Sequence, residues 1–174
     1  MSVFRSPYNP IISPEKAKPS RADFEVVCVF NAGVIRYNNE VILLLRVAEK
    51  PINSDTKVEL VPVFDKNSGQ VIVKEFSKDD PLCDFSDSRF VRTPTEQYLS
   101  SLSHARLARS TDGIHFDIEE QPALMPDNEY ESFGIEDPRI TIINDTYYIT
   151  YSAVSPLGSM IGLASTKDFK SYKR

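Results

Sequence analysis

Two neighbouring acids and an arginine, Glu136, Asp137 and Arg139, are the residues of this sequence best suited to chemistry. They stand at the start of a predicted strand, because residues 140–143 are apolar and β-branched and an Asn-Asp turn follows at residues 144–145. Charge at the start of a buried strand is costly unless it is paired or used. A carboxyl group there can move a proton, for example to a glycosidic oxygen. The alternative is that Asp137 only caps a turn and pairs with Arg139.

The composition limits the class of protein. The chain has 174 residues, a hydrophobic fraction of 41% and a charged fraction of 26%, which is typical of a globular protein with a core. A formal net charge of −5 argues against a nucleic-acid or anionic-membrane partner. The sequence has no long apolar run and no signal-peptide pattern, so we expect a cytoplasmic protein. Cys28 and Cys83 lack metal-site spacing, so no metal site is predicted, and the apolar run around Cys28 predicts a buried, reduced thiol.

The elements that must position the acids are all predicted to be strands. No segment has the 3.6-residue apolar period of a long helix, and residues 77–97 are polar and predict a long loop. The first 20 residues carry four prolines, so we expect an extended lead-in over residues 1–24 and one domain over residues 25–174. Apolar and β-branched runs predict strands at residues 25–30, 34–37, 40–47, 57–64, 70–76, 102–110, 140–143 and 147–154.

The predicted strands repeat along the chain. The segment around Asn38 aligns with the segment around Asn144, 106 residues later, and residues 107–112 align with residues 163–168, 56 residues later. One spacing is close to twice the other, and an all-strand repeat of about 50 residues predicts a β-propeller, with chance similarity among hairpins as the alternative. Residues 25–174 would then hold about three blades, whereas propellers close with roughly four to eight. We therefore expect a partial propeller, whose other blades lie outside this chain or come from another one.

The repeat also predicts which side chains meet. Asn31 and Asp137 each precede their turn asparagine by seven residues, and equivalent strand starts of a propeller converge at one end of its axis. Asn31 is therefore expected to share a pocket with Glu136 and Asp137, beside Arg46, which is otherwise a solvated strand-end charge. Amide, carboxylate and guanidinium groups in one pocket suit a ligand with many hydroxyl groups, such as a sugar. His104 is a further candidate for contact with that ligand.

Four stretches, in this order, resemble glycoside hydrolase family 130, the β-mannoside phosphorylases and related β-mannosidases with a five-bladed β-propeller. The resemblance covers nearly the whole chain, but only about the N-terminal half of a family member. The stretches are residues 29–34 with 45–47, residues 98–104 with 107–116, residues 134–141 with the Asp-Pro-Arg motif, and residues 161–174.

The resemblance implies roles for individual residues. Asp137 matches the proton-donor aspartate of the family. Asn31, Ala32 and Arg46 match positions that bind the sugar beside the scissile bond. Arg174 matches an arginine of the phosphate site.

The reaction implied by the resemblance is inverting phosphorolysis of a β-mannoside. An inverting glycosidase needs one carboxyl group to protonate the leaving group and a second to activate water. Phosphate is already an anion, so one acid, Asp137, suffices when cationic donors hold the phosphate. Glu136 is then a neighbour that raises the pKa of Asp137 or shapes the pocket. The product is α-mannose 1-phosphate, with inorganic phosphate as co-substrate and no metal or organic cofactor.

Two other functions remain open at this point. An inverting β-mannosidase would keep Asp137 and add a base, and a non-catalytic propeller would bind carbohydrate or protein without needing the acid. Residues 154–158 depart from the mannosylglucose-cleaving type, which carries an acidic-His-Gly stretch there, so β-1,2- or β-1,4-linked mannosides are the expected substrates. The expected partners are an oligosaccharide and either the remaining half of the propeller or a homo-oligomer.

Overall fold

The computed structural model describes residues 5–174, and these residues form an all-β fold. Two short 3-10 helices, Pro14–Lys16 and Glu129–Glu131, are the helical elements of this part of the chain, and neither is long and apolar enough to cross a membrane. The strands are β1 (Phe24–Tyr37), β2 (Glu40–Pro51), β3 (Val58–Asp65), β4 (Gln70–Ser77), β5 (Phe90–Arg92), β6 (Gln97–Leu99), β7 (Leu102–Ser110), β8 (Asp117–Ile118), β9 (Gly134–Ile143), β10 (Thr146–Ser155) and β11 (Gly158–Thr166).

Two antiparallel arrays carry the fold. The first array consists of β1, β2, β7 and β8, paired in that order. The second array consists of β9, β10 and β11, with a bridge from Ser165 of β11 to Lys173 near the chain end. A parallel pairing between Ser103 of β7 and Gly134 of β9 joins the two arrays.

The arrays account for both repeat spacings, while the expected number of about three blades stays a prediction. The spacing of 106 residues relates β1 and β2 to β9 and β10, and the spacing of 56 relates β7 to β11. The spacings differ because residues 52–101 lie between β2 and β7, whereas only Pro156 and Leu157 lie between β10 and β11. Residues 52–101, hereafter the insertion, form two hairpins, β3–β4 and β5–β6, and the second falls largely within the stretch predicted as a loop.

One hydrophobic core lies between the arrays. Side chains of β2 and β7, such as Leu44 and Leu107, pack with Ile135 of β9 and Ile149 of β10. The opposite face of the first array has its own cluster, which includes Leu45 and the lead-in residues Ile11 and Ile12. Residues of β2 belong alternately to the two clusters, because successive side chains of a strand point to opposite faces.

Besides the apolar contact of Ile11 and Ile12, a polar contact joins the lead-in to the first array. Both the backbone N–H and the hydroxyl of Ser20 donate to the carboxylate of Glu49, at 2.9 and 2.5 Å. The prediction that Cys28 is buried is wrong: its thiol is exposed, because much of β1 faces solvent on both sides.

Candidate active site

Equivalent irregularities in β1 and β9 position Asn31 and Asp137. The pairing of β1 with β2 skips two residues beginning at Asn31, and the pairing of β9 with β10 skips two residues beginning at Asp137. Both residues adopt left-handed backbone, with φ of 48° for Asn31 and 49° for Asp137. Asn and Asp tolerate this conformation better than most side chains, because their short polar groups can bond locally. Each bulge turns one polar side chain out of the regular alternation of its strand.

The two bulges lie against each other. A Cβ atom on Gly33 would come within 2.9 Å of the carbonyl oxygen of Pro138, so a residue without a side chain lets β1 approach β9 this closely. Across this contact the Nδ2 of Asn31 donates to the Oδ1 of Asp137 at 2.9 Å. The structure thus brings together the two residues that the repeat aligned.

Arg46 of β2 holds both acids. Its Nη1 donates to Oδ1 of Asp137 at 3.0 Å, and its Nη2 donates to Oε1 of Glu136 at 2.6 Å. Its Nε donates to the hydroxyl of Ser103 at 3.0 Å, and the guanidinium lies 4.4 Å from the centre of the Phe30 ring. The orientation of the guanidinium is therefore fixed at its edges and on one face. Asn31, Arg46, Glu136 and Asp137 are called the Arg46 cluster below.

The Arg46 cluster shifts the pKa values of its two acids in opposite directions. Burial is the largest influence on Glu136 and raises its pKa, the charge of Asp137 raises it further, and Arg46 opposes both. Burial also acts to raise the pKa of Asp137, but hydrogen bonds from Asn31 and Arg46 outweigh it, and this pKa lies below its ordinary value. The two pKa values are therefore shifted in opposite directions, and the pKa of Asp137 is lowered despite the neighbouring Glu136.

Two further predicted residues lie at the edge of this site or outside it. Ala32 follows Asn31 in the first bulge and packs against the hydrophobic cluster under the lead-in. The guanidinium Nη1 of Arg174 donates to Oε2 of Glu131 at 2.7 Å and lies 2.8 Å from Oδ1 of Asp127. Arg174 is thus held by a separate pair of acids.

The predicted contact between His104 and a ligand does not agree with the position of that side chain. His104 pairs with Val47 across β7 and β2, on the face that the lead-in covers. Its side chain is fully buried, and its Nε2 lies 2.8 Å from Oε1 of Glu49. Arg46 lies one residue before Val47 and points to the opposite face, toward the acids. His104 is therefore a buried structural residue in this fold.

Arg139 is not the hydrogen-bond partner of Asp137, although the sequence offered it as one. Its Nη1 donates to the carbonyl oxygen of Pro138, while Arg46 provides the cation for Asp137. Sequence reasoning missed Ser103, which accepts from Arg46, because no local pattern marks it. It also missed Glu131, a buried carboxylate that accepts from Tyr151 and Arg174. Glu131 could have been noticed because, like Glu136, it is an acid that stands shortly before a run of apolar strand residues.

The arrangement can bind hydroxyl groups and transfer a proton. Asn31 and Arg46 offer donors, the two carboxylates offer acceptors, and about a third of the side chain of Asp137 is exposed, at 38%. Over residues 5–174, no group of three or more acidic, histidine or cysteine side chains is placed to hold a metal ion. Through their own functional groups, the residues of the Arg46 cluster can provide hydrogen bonds, charge stabilisation and an acid.

A comparison with protein families decides the classification. The model of glycoside hydrolase family 130, described as β-1,4-mannooligosaccharide phosphorylase, matches residues 88–174. The chain belongs to glycoside hydrolase family 130. The matched half includes both acids of the Arg46 cluster, and the other two members of the cluster come from the preceding strands.

Similar proteins include two β-1,2-mannobiose phosphorylases. The chain is 46% identical to a β-1,2-mannobiose phosphorylase of Listeria innocua serovar 6a, over 99% of this chain and 50% of that protein. It is 32% identical to a β-1,2-mannobiose phosphorylase of Thermoanaerobacter sp. strain X514, over 75% of this chain and 44% of that protein. The solved complex of the Listeria innocua β-1,2-mannobiose phosphorylase with β-1,2-mannobiose superposes with a TM-score of 0.92, covering 99% of this chain and 50% of that one. The chain thus spans about half the length of these relatives.

Proposed function

We propose that the protein containing this chain is an inverting β-mannoside phosphorylase that cleaves β-1,2-mannobiose. It transfers the mannosyl group to inorganic phosphate and yields α-mannose 1-phosphate and mannose. The observation that carries the proposal is the Arg46 cluster, in which one partly exposed acid, Asp137, is held by an amide and a guanidinium. The identity of 46% with a phosphorylase of this specificity supports the choice of substrate.

Asp137 acts as the proton donor in the proposed reaction. A general acid must be protonated before the bond breaks, whereas the pKa of Asp137 is held below its ordinary value by Asn31 and Arg46. Substrate binding opposes this effect in two ways. Sugar hydroxyl groups compete for the donors of Asn31 and Arg46, and the incoming phosphate adds negative charge near the carboxylate. Both changes raise the pKa of Asp137 at the stage when a proton is needed.

The position of Glu136 does not suit the base of an inverting hydrolase. An inverting hydrolase holds its second carboxylate across the sugar from the acid, roughly 6.5–9.5 Å away, so that a water fits between. Here one guanidinium binds both acids, so Glu136 lies beside Asp137 rather than across a sugar ring from it. With phosphate as the nucleophile no such base is required. Arg174, held by Asp127 and Glu131, is the proposed phosphate ligand.

The two arrays are proposed to be neighbouring blades of a five-bladed propeller domain that occupies residues 25–174 and continues in the rest of the protein or in a second copy. Exposed apolar side chains on β11 support this, since Met160, Ile161 and Leu163 are 48, 85 and 54% exposed. A further blade would cover them and the strand edge beside them. Residues 1–24 are proposed as a lead-in to this domain, of which residues 1–4 lie outside the described part of the chain. The enzyme is proposed to act in the cytoplasm without a metal or organic cofactor.

The proposal is tested by incubating the complete protein with β-1,2-mannobiose, with and without inorganic phosphate. We expect cleavage that depends on phosphate and a product whose NMR spectrum is that of α-mannose 1-phosphate. Equal release of mannose in the absence of phosphate would identify a hydrolase instead. Binding of the disaccharide without any cleavage would identify a carbohydrate-binding protein.

A further inference from the structure

Glu131 is a buried carboxylate to which the proposed reaction gives no chemical step. Its side chain is 2% exposed, and it ends the short helix Glu129–Glu131 that precedes β9. A buried charge is costly unless it is paired and hydrogen-bonded, so its partners indicate its role. We propose that Glu131 is a positioning residue, which orients the guanidinium of Arg174 for inorganic phosphate and joins it to the strand opposite Asp137. The inference rests on the proposed function and adds to it a residue on which phosphate affinity depends.

Both carboxylate oxygens of Glu131 accept hydrogen bonds. Its Oε1 accepts from the hydroxyl of Tyr151 at 2.7 Å. Its Oε2 accepts from Nη1 of Arg174 at 2.7 Å and from the backbone N–H of Asp127 at 3.0 Å. Hydrogen bonds to a charged group are stronger than those between neutral groups. The carboxylate is therefore held at both oxygens, and it can in turn fix the orientation of the cation that it binds.

The partners of Arg174 leave one edge of its guanidinium able to bind an anion. Its Nη1 is held by Glu131 and lies 2.8 Å from Oδ1 of Asp127, while its Nη2 donates to the carbonyl oxygen of Met125. Within residues 5–174, no protein acceptor takes a hydrogen bond from its Nε. Nη2 keeps a second proton, so Nε and Nη2 together can bind two oxygens of a phosphate. The acids thus occupy the opposite side of the guanidinium from the one offered to phosphate.

Tyr151 connects Glu131 to the strands that carry the proposed proton donor. The ladder between β9 and β10 skips Asp137 and Pro138, and Tyr151 is the residue of β10 opposite this bulge. On its other side Tyr151 pairs with Gly162 of β11, where a Cβ would lie 2.2 Å from the ring. A residue without a side chain therefore makes room for the ring. Through Tyr151, the strands that present the acid also set the position of Glu131.

The short helix that carries Glu131 is anchored on both sides. At its start, the side chain of Asn128 accepts from the backbone N–H of Tyr130 at 3.0 Å. After its end, the carbonyl oxygen of Ser132 accepts from the backbone N–H of Phe64 in the insertion at 2.8 Å. A backbone held in this way limits the positions open to the carboxylate, as a positioning role requires.

The alternative role of Glu131 is to neutralise the charge of Arg174, and the two roles predict opposite effects. A neutralising acid weakens the attraction of Arg174 for an anion, so its removal would strengthen phosphate binding. A positioning acid lowers the entropy cost of binding, since a guanidinium that is already oriented loses less freedom when phosphate arrives. Positioning agrees with the geometry, because Glu131 contacts Nη1 and leaves the edge at Nε open.

Phosphorolysis kinetics of the complete protein test the inference, with inorganic phosphate and β-1,2-mannobiose each varied while the other is saturating. Glu131→Gln keeps the size of the side chain but removes the charge that binds Arg174. We expect the KM for phosphate to rise about tenfold, as for one lost hydrogen bond to a charged group, with the KM for β-1,2-mannobiose within about twofold. Tyr151→Phe removes only the donor to Glu131 and should raise the KM for phosphate less, by about threefold.

Glu129→Gln is the matched control, because it is the same substitution in the same short helix. Glu129 is exposed and pairs with Lys66 at the surface, so neither KM should change in this variant. Thermal melts verify the folding of each variant. If Glu131→Gln does not fold, the KM for phosphate of Tyr151→Phe decides the inference.

The outcomes separate this inference from the proposed function. An active parent protein overturns the inference and keeps the function if the KM for phosphate is unchanged or lower in Glu131→Gln. A parallel rise of both KM values in Glu131→Gln would show a merely structural role and would also overturn it. If cleavage by the parent does not depend on phosphate, the proposed function fails, and titration with inorganic phosphate followed by phosphorus NMR decides the inference. Weaker phosphate binding by Glu131→Gln than by Glu129→Gln then supports it, whereas equal binding, or none by the parent, overturns it.

Discussion

The two arrays present the same backbone bulge with different chemistry. In the first, the residue at φ 48° is the amide Asn31, and in the second the residue at φ 49° is the acid Asp137. The partner strands differ in parallel, because Arg46 of β2 occupies the position that Ser152 holds in β10. One array therefore supplies hydrogen-bond donors and the other supplies carboxylates. The repeated backbone thus places the functional groups, and a few residue differences between the repeats make the two sides of the site complementary.

The connections of the arrays differ as strongly as their bulges. The first array carries the insertion between its second and third strands, whereas the second has only Pro156 and Leu157 at the equivalent place. The short turn leaves space above the second array, and the insertion forms the opposite wall of that space. The difference in length between two equivalent connections thus produces a cavity between the insertion and the turn that joins β10 to β11.

The substitution Asp137→Asn makes the two bulges alike and should have the largest effect. Asparagine keeps the left-handed backbone and the contact with Asn31 within reach, but it cannot act as an acid. Loss of a general acid costs typically 10²–10⁴-fold, so we expect about that decrease in kcat/KM for phosphorolysis. Steady-state kinetics on β-1,2-mannobiose, with a thermal melt to verify folding, measures it.

Asp145→Asn is the matched control for this change. Asp145 also has a left-handed backbone, at φ 61°, but lies in the exposed turn between β9 and β10. The same chemical substitution there should leave the kinetics unchanged. Near-normal activity of Asp137→Asn, or an equal loss in both variants, would contradict the assignment of Asp137 as the proton donor.

A pair of glycines tests the contact that holds the arrays together. Gly134 and Gly158 both have positive φ, 113° and 104°, and begin β9 and β11. A Cβ on Gly134 would lie 2.6 Å from the backbone N and O of Ser103, whereas nothing lies within 4 Å of a Cβ on Gly158. Gly158→Ala should therefore cost only backbone strain, about 1–2 kcal/mol of unfolding free energy. Gly134→Ala should cost about 2–5 kcal/mol, because overpacking adds to that strain.

Urea unfolding of the two glycine variants gives the required difference. A similar loss of stability in both would show that the close approach of β7 to β9 contributes little to the joining of the arrays. A larger loss in Gly134→Ala, accompanied by weaker phosphorolysis, would tie the Arg46 cluster to this contact, since Ser103 also accepts from Arg46.

The sequence predicted the meeting of Asn31 and Asp137 because turn asparagines and apolar alternation mark equivalent hairpins. It could not give the number of arrays, because a spacing alone does not distinguish a repeat from an insertion inside one. It also misplaced His104, since one residue of shift along β7 exchanges the two faces of the strand. The hydrogen bonds from Arg46 to both acids depend on the packing of β2 against β9, and no local sequence pattern predicts that packing.

Replacement of Asn31, the amide residue of the first bulge, should have the smallest effect. The effect should be seen in the pH dependence of kcat/KM. Asn31→Gly removes the side chain while keeping a residue suited to φ 48°. Burial acts to raise the pKa of Asp137, and Asn31 is one of the donors that outweigh it, so the pKa of Asp137 rises in this variant. The proton donor then stays protonated to higher pH. The alkaline limb of the kcat/KM profile should move upward, even though the loss of a sugar contact lowers the maximum.

The pH dependence of the free energy of unfolding should also change in Asn31→Gly. The pKa of Asp137 is lowered on folding, so its contribution to stability is present above the unfolded pKa and is lost as pH falls through the folded value. With the folded pKa of Asp137 raised toward the unfolded value in Asn31→Gly, this contribution becomes smaller and its loss is complete at a higher pH. Asn38→Gly, at φ 52° in the turn after β1, is the matched control and should shift neither profile. Identical pH dependence in both variants would mean that the amide of the first bulge does not set the acidity of the second, and the arrays would then share a backbone without sharing a site.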